Sequence, residues 1–279
     1  MQQTIQYIRA ELAQYYPETE ISGFIQLIMN TVFGLSYTQM ILEKDRVLAV
    51  TELSRVKSIV ERLKKHEPVQ YILGTTEFYG LELKVKPGVL IPRPETEELV
   101  DWINNIKIPK LAKILDIGTG SGCIALAIKN QFPAVEVKAV DVSEDALKLA
   151  SENARINGLN VEFEHLDILK WQEVSWPNFD VIVSNPPYVM ENEKKQMEAN
   201  VLEHEPELAL FVSDTDPLIF YRTIAQFSAK YLNKGGFLFF EINEKLGDEM
   251  VALVKQLEFK SIELRCDLNN KNRMLRCQK

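Results

Sequence analysis

Residues 113–130 read KILDIGTGSGCIALAIKN. Lys113 to Ile117 is a short apolar run, Gly118, Gly120 and Gly122 interrupt it, and Cys123 to Asn130 continues with helical character. A strand that leaves through glycines into a helix opens a parallel βαβ unit, and glycines at that turn let backbone approach a ligand at the helix N-terminus. A glycine loop alone is weak evidence for any one ligand. The dinucleotide fingerprint puts its third glycine one place later, where this chain has Cys123, so the loop fits a pyrophosphate imperfectly.

Outward from this loop, short apolar runs alternate with helical segments: Val135 to Val140, Glu144 to Asn157, Val161 to Asp167, then Phe179 to Ser184. That alternation predicts an α/β doubly wound sheet. Asp216-Pro217 reads as a helix start, Gly235-Gly236 as its end, and Phe237 to Ile242 as a further strand. Ile262 to Cys266 and Arg273 to Cys277 are the last candidate strands. Upstream, apolar residues recur at three- and four-residue steps from Thr4 to His66, with breaks at Pro17 and Gly34, which predicts a small all-helical domain. Between the two, Phe78, Leu81, Leu83, Val85, Val89 and Ile91 sit among Gly80, Pro87 and Gly88 and read as a β-hairpin. The expected division is a helical domain at 1–75, a hairpin linker at 76–92 and an α/β domain at 93–279.

Bulk properties narrow the function classes. The 279 residues are 46% hydrophobic and carry 32 basic against 40 acidic side chains, a net charge of −8. Such a balance disfavours a phosphate backbone as partner unless a basic face is locally concentrated. Cys123, Cys266 and Cys277 fit neither a disulfide framework nor a zinc site, so a reducing, cytoplasmic setting is expected and no metal is assigned. No apolar run reaches membrane-spanning length, which argues against a membrane partner. His66, His165 and His204 stand alone and read as surface or packing residues.

A Gly-x-Gly-x-Gly loop preceded by an acid resembles the first motif of class I methyltransferases, and the resemblance implies a Rossmann-like sheet binding S-adenosyl-L-methionine, with S-adenosyl-L-homocysteine as product. Asp116, Gly118, Thr119, Gly120, Ser121 and Gly122 are then expected at the cofactor, whose cationic sulfonium suits a carboxylate better than a lysine. Asp141, closing the second strand, can accept from both ribose hydroxyls. Asp167 and Ile168 occupy the place where such enzymes hold the adenine amino group and cover the ring, with Trp171 near enough to compete for the second task. Taken singly, Asp141 or Asp167 could equally be a helix cap or a solvated loop acid.

At the carboxyl end of the strand Phe179 to Ser184 stands Asn185-Pro186-Pro187-Tyr188. The prolines restrict the backbone and remove two amide donors, leaving an acceptor-rich pocket on the ligand side of an open sheet. Such a pocket suits a planar NH2 group, whose delocalised lone pair attacks only when its hydrogens are held and its nitrogen aimed. The Asn185 side-chain oxygen and the Pro186 carbonyl are expected to take one hydrogen each, Tyr188 to cover the planar face, and Asn185 also to border the cofactor. The bland alternative is a Pro-Pro turn that only ends a strand.

The tetrapeptide resembles that of DNA, ribosomal RNA and glutamine methyltransferases, and by itself stops at that class. Longer stretches, Glu67 to Gly74, Phe78 to Leu81, Val89 to Glu97, Asp116 to Ala127 and Val183 to Val189 with Glu205-Pro206, resemble the peptide chain release factor glutamine methyltransferases. That resemblance implies the glutamine of the Gly-Gly-Gln loop of class 1 release factors as substrate and the helical domain as the part that grips it, although that domain reads equally as a structural cap on the sheet; a monomer without direct nucleic-acid contacts is expected. Arg93 to Glu97 is the discriminating run, so Arg93 and Glu97 join Asn185, Pro186, Pro187 and Tyr188 as substrate-binding expectations. Pro94-Glu95-Thr96-Glu97 also reads as a helix start, and both readings can hold. The chain departs from the family at Asn243 to Leu246, where a glycine is usual, and Asn243 could take a left-handed turn there. A DNA or RNA amino-methyltransferase is the alternative enzyme, and a non-catalytic binding module the alternative of another kind.

Overall fold

The computed structural model describes residues 1–279, the side chains of Gln196 and Ala199 excepted. Two compact units are present: residues 1–75 with 198–204, and residues 76–197 with 205–279.

In the first unit, α1 (Gln2–Leu12), α2 (Glu18–Phe33), α3 (Tyr37–Leu42), α4 (Val50–Leu63) and α5 (Val69–Leu73) follow the expected periodicity. Ile8, Leu12, Ile28, Val60 and Leu63 are fully buried in its core. Pro17 stands at the N-cap of α2, and Gly34, at φ +67°, ends it in the left-handed region a glycine enters freely.

The second unit begins with the hairpin β1 (Thr75–Phe78) and β2 (Leu81–Lys84), turning through Tyr79 and Gly80, both at positive φ. Rather than forming a free linker, the hairpin packs Phe78, Leu81 and Leu83 into the core of this unit. There follow α6 (Pro94–Asn104), β3 (Lys113–Ile117), α7 (Cys123–Gln131), β4 (Glu136–Asp141), α8 (Glu144–Ile156), β5 (Glu162–His165), β6 (Phe179–Ser184) and β7 (Val189–Met190). The short α9 (Ala199–His204) belongs to the helical unit, with the His204 ring 3.3 Å from the Lys65 carbonyl; its place was not evident from sequence. The chain then forms α10 (Glu207–Leu210), β8 (Phe211–Val212), α11 (Ile219–Tyr231), β9 (Leu232–Glu241), α12 (Gly247–Gln256), β10 (Lys260–Cys266) and β11 (Asn272–Gln278).

Seven strands form one sheet in the order β10-β11-β9-β6-β3-β4-β5, parallel from β9 to β5 with β11 antiparallel to β9. The strand period of two sorts side chains onto two covered faces. Leu115, Ile182, Leu238 and Phe240 face the layer of α11 and α12, while Ile114, Val181, Val183 and Phe239 face that of α6 and α7. This is the Rossmann-like sheet with an all-helical companion that the sequence implied. One element differs: α11 ends at Tyr231, and β9 runs through Gly235 and Gly236. A Cβ on Gly236 would lie 2.9 Å from the Asp180 carbonyl, so the pair marks a close approach inside a strand rather than a helix stop.

Candidate active site

From β3 the chain proceeds to β4 on one side, while β6 and β9 lie on the other, so the crevice between the ends of β3 and β6 is the switch point of the sheet. The glycine loop leaves β3 there and Asn185 leaves β6. A Cβ on Gly118 would lie 4.0 Å from the Asn185 carbonyl, so the two loops meet. Gly118, Gly120 and Gly122 have φ of +75°, +56° and +84°. Gly118 and Thr119 donate their amides to the Val140 carbonyl at 2.9 and 3.1 Å, which ties the loop to the end of β4. The Asp141 carboxylate accepts from the Gly120 amide and the Ser143 amide, each at 2.8 Å. Burial raises its pKa, and these amides oppose the rise.

An open cleft runs over this junction. Gly118, Thr119, Gly120, Ser121, Asp141, Asp167 and Ile168 line one part of it; Arg93, Thr96, Asn185, Pro186 and Pro187 line another. Val89, Ile91, Val140, Leu166 and Phe220 supply apolar wall. Ile168 is on the wall, whereas Trp171 turns into the core against Phe227 and Tyr231. Arg93 is paired with Glu205, whose side chain is 1% exposed and also accepts the Ile91 amide.

Four of the expected site residues lie off the cleft wall. Asp116 follows Ile114 onto the α6–α7 face and is fully buried. Its Oδ2 accepts the Thr119 hydroxyl at 2.6 Å, and its Oδ1 has no hydrogen bond among the described residues. Burial pushes its pKa up to about 7, against the pull of the Thr119 hydroxyl and the nearby Ala125 amide. Gly122 packs against α8, where a Cβ would come 3.1 Å from that of Ala150. Glu97 accepts the Tyr79 amide at 2.6 Å and so braces the hairpin turn. Tyr188 directs its hydroxyl to Glu241 Oε1 at 3.0 Å.

Thr96, inside the discriminating run Arg93 to Glu97 but given no role of its own, and Glu241 join these pieces. Thr96 stands in the first turn of α6 and is 2% exposed; Glu241 follows Phe239 onto the same face of the sheet and is 1% exposed. Thr96 donates its hydroxyl to Glu241 Oε2 at 2.7 Å and accepts Asn185 Nδ2 at 3.2 Å. Burial raises the Glu241 pKa, opposed by the Thr96 and Tyr188 hydroxyls and by Arg273. The Asn243 departure has a role here too. Its backbone is extended, at φ −62° and ψ 131°, not left-handed, and its Nδ2 donates to the Tyr188 carbonyl at 3.0 Å and to Glu193 at 2.8 Å. Asn243 thereby fixes the loop after Asn185 at a place where glycine would offer no side chain.

The chemistry of the lining suits a cationic ligand without phosphate. Among the described lining residues Arg93 is the one basic side chain and it is neutralised by Glu205, while Asp141 and Asp167 are acidic and the Asp116 carboxyl waits behind the loop.

Known proteins resemble the chain in sequence and in fold. The family model described as Methyltransferase small domain matches residues 96–208, and that described as PrmC N-terminal domain matches residues 3–74. A crystal structure of a methyltransferase from Pyrococcus furiosus superimposes with a TM-score of 0.53 at 19% identity, covering 83% of this chain and 99% of the other, a likeness of fold. The release factor glutamine methyltransferase of Flavobacterium psychrophilum is 44% identical over 97% of this chain and 96% of its own length. That of Bacteroides thetaiotaomicron is 43% identical over 96% of each. With such identity across both units, the chain belongs to the release factor glutamine methyltransferase family.

Proposed function

We propose that this enzyme transfers a methyl group from S-adenosyl-L-methionine to the side-chain amide nitrogen of the glutamine in the Gly-Gly-Gln loop of class 1 release factors. The observation that carries the site assignment is the orientation of Asn185: its amide nitrogen is engaged by Thr96, so the group it offers the cleft is an acceptor oxygen. A side-chain amide presents two N–H donors in one plane, the complement of such an acceptor beside a proline carbonyl.

In this reading the glycine loop, Asp141, Asp167 and Ile168 hold the cofactor. Each Asp141 oxygen already takes one backbone amide and keeps a lone pair for a ribose hydroxyl. Ile168 would cover adenine, and Thr119 and Ser121 would lie toward the methionyl end, with Asp116 behind them. S-adenosyl-L-methionine held there would supply an electrophilic methyl group, with S-adenosyl-L-homocysteine as the product. Asn185 and the Pro186 carbonyl hold the two amide hydrogens and aim the nitrogen. Holding the reacting atoms about 3 to 3.5 Å apart and in line supplies much of the rate. One hydrogen leaves to water as the N–C bond forms, and the product, with a single N–H, no longer fills both acceptors.

A base-methylating enzyme would share the acceptor geometry, and the full-length relatives named as glutamine methyltransferases favour the protein substrate. No helix among the described residues is long and apolar enough to cross a membrane, and the three cysteines are free. Both support a chain working in the reducing cytoplasm.

The test is Asn185→Ala, read by calorimetric cofactor binding and by turnover on a purified release factor. Cofactor affinity is expected to stay within severalfold while turnover falls by about 100-fold or more. Lost cofactor binding with intact turnover at saturation would contradict the role.

A further inference from the structure

A chain of hydrogen bonds behind the cleft has its direction set at its centre by the Glu241 carboxylate, which accepts at both oxygens and whose charged form Arg273 favours. A guanidinium only donates. Arg273 Nη1 lies 3.4 Å from the Tyr188 hydroxyl oxygen, and its Nε is held by Asp267 at 3.2 Å. With its oxygen accepting from Arg273, Tyr188 gives its hydrogen to Glu241 Oε1 at 3.0 Å. Glu241 Oε2 takes the Thr96 hydroxyl hydrogen at 2.7 Å. Thr96 can then only accept from its other side, and the partner there is Asn185, which must present Nδ2 at 3.2 Å. Were the Asn185 amide reversed, two oxygens would face each other with no hydrogen between them, in a buried site where an unmade bond is costly. The anchors of the relay are themselves fixed: Tyr221 donates its hydroxyl to the Glu241 carbonyl at 3.3 Å, and Asn243 holds the Tyr188 backbone.

We propose that Arg273, Tyr188, Glu241 and Thr96 form a relay of fixed polarity that turns the Asn185 amide oxygen toward the cleft, so that the site accepts an NH2 group and rejects a carboxylate. Thr96 and Glu241 are positioning residues in this relay, acting on the substrate through Asn185. The proposal rests on the glutamine-methylating reading. It adds that selection against glutamate is written outside the tetrapeptide, in residues from the first turn of α6 and the ends of β9 and β11. At Asn185 and Pro186 a carboxylate would meet acceptor oxygens, whereas a freely rotating Asn185 could offer it Nδ2.

The experiment compares the full-length parent with Thr96→Val, Thr96→Ser and Glu241→Gln. Each is assayed for calorimetric cofactor affinity, for kcat and KM on a release factor, and for inhibition by that release factor with glutamate in place of the target glutamine. For Thr96→Val we expect kcat to fall about 100-fold with unchanged cofactor affinity. Inhibition by the glutamate form should strengthen about tenfold relative to the KM of the glutamine form, and Thr96→Ser should restore parental values. Glu241→Gln should move the same readouts in the same direction. Parental kcat and parental discrimination in Thr96→Val would overturn the relay, as would a loss of cofactor binding equal to the loss of kcat, or failure of Thr96→Ser to rescue. Should Glu241→Gln not fold, the Thr96 pair decides alone. A parent that leaves the release factor unmethylated would overturn the functional reading instead, and the relay with it.

Discussion

At the scale of single residues, Asp116 poses the sharpest energetic question. A carboxyl with one oxygen unbonded and no exposed surface is held protonated up to about pH 7, well above its ordinary range. Because the folded state keeps its proton longer than the unfolded chain, this group costs stability as pH rises from about 4 to 7. Asp116→Asn removes that titration while retaining an acceptor for Thr119. The stability advantage of the variant over the ligand-free parent should therefore grow across that interval, to at most about 4 kcal/mol, measured by urea unfolding at fixed ionic strength. An advantage that stays flat with pH would show that the carboxyl ionises normally. A cationic ligand at the loop would favour the charged form, so cofactor binding near neutrality should release a proton in the parent and none in Asp116→Asn. The sequence made Asp116 legible as a cofactor-site acid; it could not show that the strand register turns it behind the loop, since that depends on which face α6 and α7 cover. Thr96 lay within the run Arg93 to Glu97, but its pairing with Glu241 was illegible for a related reason: they are 145 residues apart, and nothing local to either announces the bond between them.

Among the elements, those with local causes were readable. The Pro94 start of α6, the Gly34 stop of α2 and the strand–glycine–helix sequence of β3 and α7 each follow from backbone preferences of the residues present. Gly235 and Gly236 misled because a glycine pair ends helices and permits close strand contacts alike, and only the neighbouring Asp180 carbonyl tells which. Gly122 teaches the same lesson inside the functional motif. It was expected at the cofactor, yet it sits where α7 meets α8, at φ +84° with Ala150 as neighbour. Gly122→Ala combines an unfavourable backbone with a tight contact and should lower stability by about 1 to 3 kcal/mol, seen as a lower urea midpoint at unchanged slope. A midpoint equal to the parent's, with cofactor affinity lost, would return Gly122 to the ligand.

For the whole molecule, two units with separate cores were foreseeable from the change of hydrophobic period near residue 75, whereas the assignment of 198–204 to the helical unit was not. The helical unit matches the family's N-terminal model over residues 3–74, while the switch point, the acceptor loop and the relay all lie in the other unit. The most direct measurement incubates the enzyme with methyl-labelled S-adenosylmethionine and an equimolar mixture of a purified release factor, ribosomal RNA and DNA, then locates the label by fragment mass spectrometry. Label is expected on the release factor alone, on the amide nitrogen of the Gly-Gly-Gln glutamine; label on nucleic acid with none on that glutamine would overturn the assignment of substrate.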